Sequence, residues 1–366
     1  MVCRRMNRMM TRIGANPGRS EHKSARKANQ IVNETREEIA KLFSIPDAQR
    51  VVFTGNATEA INLGLKGILS RGDHAVTSSV EHNSVIRPLK RLERAGVKYS
   101  QVPCSPQGDL NFRLLQKSLK AKTKLIVLTH ASNVTGSIFP IEEVGTLARS
   151  KGIYFMVDAA QTAGLLPIDV QRMNIDLLAC PGHKSLYGPQ GTGFLYIADG
   201  IDLNPLKEGG TGVDSESDEQ PEILPQRFES GTLNTPGIAG LGAGISFVLE
   251  QKIEKIWKKE INLTQGLIQG LKKIKGVRIF GPQKTEERVP LVSFNVESMD
   301  PAEVGFLLDD LYDILVRTGL HCAPHAHRTL GTFPAGAIRV SLGFFNTAED
   351  IGALLRAVYQ ISRMKR

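Results

Sequence analysis

Lys184 lies in "ACPGHKSLYGPQGTG" (179–193), between an apolar run and two glycine turns, with His183 just before it. A lysine that only solvates a surface sits among other charges on a polar helix face, and Lys184 does not. An amine in an apolar surrounding is biased toward its neutral, nucleophilic form, able to bond a carbonyl. The alternative for Lys184 is a buried ion pair with some carboxylate. Asp158 closes "IYFMVD", after five apolar or aromatic residues. A carboxylate there needs a cation or donors to meet it, or else it caps the next helix. "TGNATEA" (54–60) passes from a strand through glycine into a helix start, where free N–H groups and the helix dipole favour an anion. It lacks the GK[ST] ending of a nucleotide loop, so a smaller phosphate fits better. His82, in "VEHNS", offers a flat ring. Amine, carboxylate, anion cradle and ring together match what pyridoxal 5'-phosphate requires.

A second reactive group is Cys322. "HCAPHAH" (321–327) sets one thiol among three histidines in a proline-containing loop, where positive potential would favour thiolate. A buried structural thiol and a metal ligand are the rival readings. The crowding of four ligands into seven residues matches none of the usual zinc spacings, so no metal is expected. "GPQGTGFLY" has glycines spaced like a dinucleotide fingerprint, but a strand follows where a helix is needed.

The elements that must position these residues alternate. Strand-like runs stand at "RVVFTG", "DHAVTSS", "KLIVLTH", "IYFMVDAA", "DLLACPG" and "GTGFLYI", with helical periodicity between several of them. This predicts an α/β fold with a mostly parallel sheet covered on both faces, and ligands gathered beyond the carboxyl ends of the strands. The four polar motifs that follow strands, "TGNATEA", "EHNS", "DAAQ" and "PGHKS", lie where such ligands collect. An irregular Gly, Pro and acid-rich excursion spans about 205–237, and long helical structure follows it. Strands at "VRIFG", "LVSFNV", "DILVR" and "AIRVSLG" then predict a smaller α/β domain of about 110 residues.

The net charge of +9 is concentrated. Residues 1–27 hold eight Arg or Lys and one Glu, which leaves about +2 for the rest. That basic start contains no aromatic residue for base stacking and reads as an ordinary helix, so no nucleic-acid partner is expected. No apolar run is long enough for a membrane span. Four cysteines without a CxxC pair make no disulfide framework and suit a reducing cytosol, hence a cytoplasmic protein.

The motifs "TEAIN", "EHNS", "HASNVTG", "VDAAQTAGLLPIDV", "GHKSLYGPQGTG", "FESGTLNTPGIAGL" and "RTGLHCAP", in this order, resemble the class V aminotransferases, in their cysteine desulfurase and selenocysteine lyase branch. The resemblance runs from about residue 14 to the end. It implies the type I fold of pyridoxal-phosphate-dependent transferases, with a seven-stranded-type sheet in a large domain (1–250) and a small C-terminal domain (251–366) carrying the cysteine loop. Lys184 resembles the Schiff-base lysine, Asp158 the partner of the pyridine nitrogen, Gln161 a donor to the ring's phenolic oxygen and His82 the stacking residue. Asn133 matches a side chain beside cofactor and substrate carboxylate, and Arg339 the arginine that grips that carboxylate. Ala57, Thr58 and His183 match phosphate-binding positions. Thr232 lies in a segment that, in the family, reaches the neighbouring subunit's phosphate, which implies a homodimer.

Cys322 resembles the catalytic cysteine, in the short-loop group. The activity implied is conversion of L-cysteine to L-alanine, with sulfur passing to Cys322 as persulfide and then to an acceptor protein or small thiol. Selenocysteine lyase, another class V aminotransferase activity and a non-catalytic interaction protein are the alternatives. Two departures stand out. Members of the branch begin with a further segment bearing a "DNAAT"-like strand, whereas this chain begins inside that region, so a shortened N-terminal segment and a loosened site are expected. Pro181 stands where Ser or Thr usually binds phosphate, so one phosphate contact is expected to be missing.

Overall fold

The β-branched and leucine-rich runs build the centre of the molecule. In the computed structural model, which describes residues 1–18, 20–214 and 216–364, the chain begins with α1 (Val2–Arg12) and α2 (Lys23–Phe43). There follow β1 (Val51–Thr54), α3 (Ala57–Ile68), β2 (His74–Ser78), α4 (Asn83–Arg94), β3 (Lys98–Val102), α5 (Phe112–Ser118), β4 (Thr123–Thr129), α6 (Ile141–Ser150), β5 (Tyr154–Asp158), β6 (Leu177–Pro181) and β7 (Gly193–Ile197). The strand order is β1-β7-β6-β5-β4-β2-β3, and only β7 runs against its neighbours. The expected mostly parallel sheet is present. Its seventh strand, β3, was not among the runs read from the sequence: "KYSQV" forms an edge, is exposed at Lys98 and carries no apolar run.

Successive residues of the central strands point to opposite faces, and both faces are buried. Phe155 and Val157 of β5 pack in one cluster with Ile39 and Phe43 of α2, whereas Met156 packs in another with Ile61 and Leu65 of α3. The excursion at 205–237 forms no strand among its described residues; Ser215, within it, and Arg19, in the basic start, lie outside them.

The long helical stretch is two helices, α7 (Thr235–Gln251) and α8 (Ile253–Lys272). Lys252 between them has φ +66°, in the left-handed region, and this divides the long helical structure expected from the sequence. The basic start is the expected helix: α1 packs along α7 and buries Met9.

The remaining chain forms β8 (Val277–Phe280), β9 (Leu291–Val296), α9 (Pro301–Tyr312), β10 (Arg317–Gly319), α10 (Pro324–Leu330), β11 (Ala337–Ser341) and α11 (Ala348–Ile361). Their four-stranded sheet, ordered β10-β11-β9-β8, has its own core of Leu271, Phe294, Leu308 and Val358. The expected strand at "DILVR" starts only at its last residue, Arg317. Asp313 adopts φ +52° as the C-cap of α9, and the chain is still turning there.

Candidate active site

The parallel strands end on one edge of the large sheet, and there the sequence motifs converge. His82, Asn133, Gln161, Lys184 and Arg339 line one cavity of about 450 Å³, together with Tyr187, Glu260 and Arg317. Its walls come from both sheets: His82 follows β2, Asn133 follows β4, Lys184 follows β6, and Arg339 sits in β11.

Lys184 is carried on a tight loop. Gly182 N–H donates to Thr192 O (2.8 Å), Gly188 N–H to Gly182 O (2.8 Å) and Tyr187 N–H to Lys184 O (2.9 Å). A Cβ on Gly182 would collide with the Thr192 side chain, so this position must be glycine for the loop to close. Solvent reaches Lys184 from the cavity. The surrounding protein nevertheless strips away enough water to lower its pKa, against the opposing pull of Asp158.

Asp158 ends β5 beside β6, with Asp158 opposite Ala179. It is 3% exposed, and its Oδ1 accepts from Ala160 N–H at 2.9 Å. That bond closes a local turn; no helix follows for the carboxylate to cap. Burial raises its pKa, while Ala160 N–H and Lys184 oppose the rise. Among the described residues neither Asp158 nor Lys184 enters an ion pair. A buried carboxylate short of a cation and an amine short of a partner are what a protonated pyridine bearing an aldehyde would satisfy, so these residues fit pyridoxal phosphate.

His82 is the N-cap of α4. Its Nδ1 accepts from Ser84 N–H at 3.0 Å, which places the ring proton on Nε2. Burial first, then the charges of Lys184 and Arg317, push its pKa down to about 4, so the ring is neutral at pH 7. Ser84 Oγ lies 2.8 Å from His82 Nδ1 and 2.7 Å from Thr58 Oγ1, joining the ring to the start of α3. There Asn56 caps the helix through Glu59 N–H, and the N–H groups of Ala57 and Thr58 have no partner among the described residues. This is the free-donor helix start that "TGNATEA" predicted.

Pro181, the last residue of β6, is buried opposite Gly193 and presents neither hydroxyl nor N–H. His183 is exposed and does not line the cavity. Thr232 also stands apart from it, lining a hollow with Arg36 and Glu229.

Arg339 donates from Nη1 to Asn133 O at 3.0 Å, and Asn133 Nδ2 donates to His321 O at 2.8 Å. Burial, with the charge of Arg317 nearby, lowers Arg339 to about 10, still a cation at neutral pH. The loop after β4 is clasped to the smaller sheet by the fully buried Arg288, whose guanidinium donates to Thr135 O (3.3 Å), Pro282 O (2.6 Å) and Leu291 O (2.5 Å).

Cys322 is exposed and lines an adjoining groove whose wall includes His82 and Thr58. His321 and Cys322 have φ +48° and +58°, two consecutive left-handed non-glycine residues. Asn83 N–H to Cys322 O (2.8 Å) and Asn133 Nδ2 to His321 O (2.8 Å) hold this conformation. The three histidines of "HCAPHAH" do not surround the thiol with charge, as the sequence suggested. His321 Nε2 contacts Ala337 O (3.0 Å), His325 Nδ1 contacts Gln101 Oε1 (3.2 Å), and His327 Nδ1 contacts Thr332 Oγ1 (2.7 Å). Burial lowers all three, His321 to about 3 and His327 to about 4. The cation beside the thiol is Arg317, with Nη2 at 3.5 Å from Sγ. Among the described residues no group of three or more His, Cys, Asp or Glu is placed to hold a metal ion.

Sequence reasoning missed Glu81. It is fully buried where β2 and β4 part, accepting from Thr129 N–H (2.9 and 3.1 Å) and Ser78 Oγ (2.5 Å). It thereby ties the residue before His82 to the strand end paired with Asp158. Burial pushes its pKa from 4.5 up to about 8. With a folded pKa above the unfolded one, its contribution to stability is complete below about 4.5 and is lost as pH rises toward about 8. Unfolding titrations of the cofactor-free protein should show this downward slope, and Glu81→Gln should flatten it. Its neighbour in "EHNS" carried the visible signal, and a buried acid beside a histidine has no spacing that reveals it.

These features define a class V aminotransferase: the chain belongs to that family, whose model matches residues 1–354. The α/β fold expected from the sequence is therefore that of the type I pyridoxal-phosphate enzymes. The chain is 35% identical, over a 370-residue overlap, to a probable cysteine desulfurase of Methanothermobacter thermautotrophicus, covering 99% of this chain and 92% of that relative. The apo structure of cysteine desulfurase from Thermococcus onnurineus NA1 superposes with a TM-score of 0.93 at 32% identity, covering 99% of this chain and 91% of that one. Cysteine desulfurase CsdA (S-sulfonic acid) from Escherichia coli gives 0.89 at 29% identity, covering 98% and 90%. No helix among the described residues is long and apolar enough to cross a membrane.

Proposed function

We propose that this protein is a pyridoxal-phosphate-dependent cysteine desulfurase. The observation that carries the reading is Lys184 in a cavity lined also by His82, Asn133, Gln161 and Arg339, with the buried Asp158, which has no ion-pair partner among the described residues, close enough to act on its charge, and the exposed thiol of Cys322 at an adjoining wall. Lys184 would hold the cofactor's aldehyde, Asp158 its pyridine nitrogen, Gln161 and Asn133 its ring oxygen, and His82 its face. Ala57, Thr58 and His183 would hold the phosphate, with Thr232 of a second subunit completing it in a homodimer. Bound there, the cofactor supplies an electron sink that stabilises negative charge at the substrate α-carbon.

The remaining steps belong to the chain's own groups. Arg339, fixed by Asn133 O, orients the substrate carboxylate. Lys184 Nζ, biased toward its neutral form, takes the α-proton. Cys322 thiolate bonds to the substrate sulfur as the carbon–sulfur bond breaks, and the electron pair stays with the three-carbon unit. That unit takes up protons and leaves as L-alanine, and Cys322 keeps the sulfur as persulfide for an acceptor protein or small thiol. Arg317 Nη2, 3.5 Å from Sγ, sets a positive charge beside the sulfur that receives the transferred atom.

Four cysteines, all free in the structure, support a cytoplasmic setting. The break between α7 and α8 supports a division near residue 250 into cofactor-binding and cysteine-bearing domains. Incubation with pyridoxal phosphate and L-cysteine should give equimolar alanine and sulfide in the presence of a reducing thiol; keto acid or ammonia as product would refute the assignment. Arg339→Lys should raise KM for L-cysteine by about tenfold or more with a smaller change in kcat, since one ammonium cannot reproduce the two-pronged grip. Initial-rate kinetics would show it.

A further inference from the structure

The groove that contains Cys322 is about 410 Å³ and basic. Lys66 of α3 and Arg87 and Arg91 of α4 line it, all three exposed, and no Asp or Glu does among the described residues. None of the three forms an ion pair among the described residues, whereas the exposed Lys90 of α4 pairs with Glu93 and the exposed Lys207 with Glu59 of α3. Arg87 and Arg91 are four apart and share a helix face, and α3 packs against α4. Lys66 is nine residues beyond Ala57 and Arg91 eight beyond Asn83, so they stand about 12–14 Å along their helices from the starts where Thr58 and His82 lie. A small anion seated at those helix starts has its donors there and leaves these more distant cations over. What they would bind is longer and reaches the thiol at the same time.

We propose that this groove is a docking surface for a protein that accepts sulfur from Cys322, and that it recognises an extended acidic segment flanking the acceptor's own thiol. The proposal rests on the reading of Cys322 as the sulfur carrier. Four extended residues cover about 13 Å, which matches the distance from the helix starts to Lys66 and Arg91 and lets a thiol at one end meet Sγ. Opposite charge along the groove would speed encounter and fix register, and salt would weaken both. The transfer itself is a thiol–persulfide exchange: the acceptor thiolate bonds to the outer sulfur, the Cys322 sulfur leaves with the electron pair, and no external oxidant is consumed.

The test uses the full-length holoprotein and two short fluorescent peptides, each with one cysteine, flanked in one by Asp and Glu and in the other by Asn and Gln. For binding alone, their cysteines are alkylated. The acidic peptide should bind at least tenfold tighter at low salt, and the preference should collapse at high salt and in Lys66→Glu/Arg91→Glu. With free thiols, that variant should lose at least tenfold in persulfide transfer to the acidic peptide, while its alanine production with dithiothreitol is unchanged. Equal binding of the two peptides, or an undiminished preference in the variant, overturns the proposal. Glutathione matching the acidic peptide in affinity would overturn it in favour of a small anionic thiol. Failure of Cys322 to gain a persulfide from L-cysteine would instead sink the functional reading, and the alkylated-peptide binding decides the groove independently.

Discussion

Replacing Lys184 with alanine is expected to leave a folded protein that makes no alanine from L-cysteine above background. Loss of a positioned proton-transfer group alone costs about 10²–10⁴-fold, and here the same nitrogen also anchors the cofactor. The loop carrying it is closed by backbone bonds of Gly182, Tyr187 and Gly188, none of which involves the Lys184 side chain. The variant should therefore unfold at nearly the wild-type temperature while losing the visible absorbance of the holoprotein. Retained turnover would mean that another base removes the α-proton; retained absorbance would mean that another amine holds the cofactor.

Cys322→Ser should separate cofactor chemistry from sulfur transfer. The hydroxyl preserves size but is a far weaker nucleophile toward sulfur, so persulfide formation and alanine production from L-cysteine should fall by at least about 100-fold. The cofactor spectrum should persist, since Cys322 lines the adjoining groove and not the Lys184 cavity. Alanine release from L-selenocysteine should fall less, since selenium leaves carbon more readily and depends less on the thiol. Undiminished alanine from L-cysteine would remove Cys322 from the mechanism. A lost spectrum would show that the left-handed backbone at 321–322 also supports the cofactor site through Asn133 and Asn83.

The residues at strand ends were legible because their types clash with what precedes them. Asp158 after five apolar residues and Lys184 after an apolar run each pose a desolvation problem that a shared ligand solves, and the structure brings both to the same edge of the sheet. His82 and Asn133 follow other strands of that edge and were legible on the same ground. The loop after β6 could be read from its glycines. The edge strand β3 could not, because an edge needs no apolar run; nor could the break at Lys252, since an isolated positive φ at lysine leaves no mark in periodicity.

Electrostatic surroundings were the least legible. The histidines flanking Cys322 in sequence turn to Ala337, Gln101 and Thr332, while Arg317, five residues upstream on β10, meets the sulfur. Sequence proximity is a poor guide in a loop whose backbone reverses at two successive residues. Glu81 and Arg288 were invisible for a related reason: apart from Ser78 Oγ, their partners, Thr129 N–H for one and the carbonyls of Thr135, Pro282 and Leu291 for the other, are backbone groups, which no residue type announces.

The most direct measurement is borohydride reduction of the protein loaded with pyridoxal phosphate, followed by peptide mass mapping. The account predicts one stable adduct, on the peptide containing Lys184, at one cofactor per chain. An adduct on a different lysine, or none at all, would contradict it.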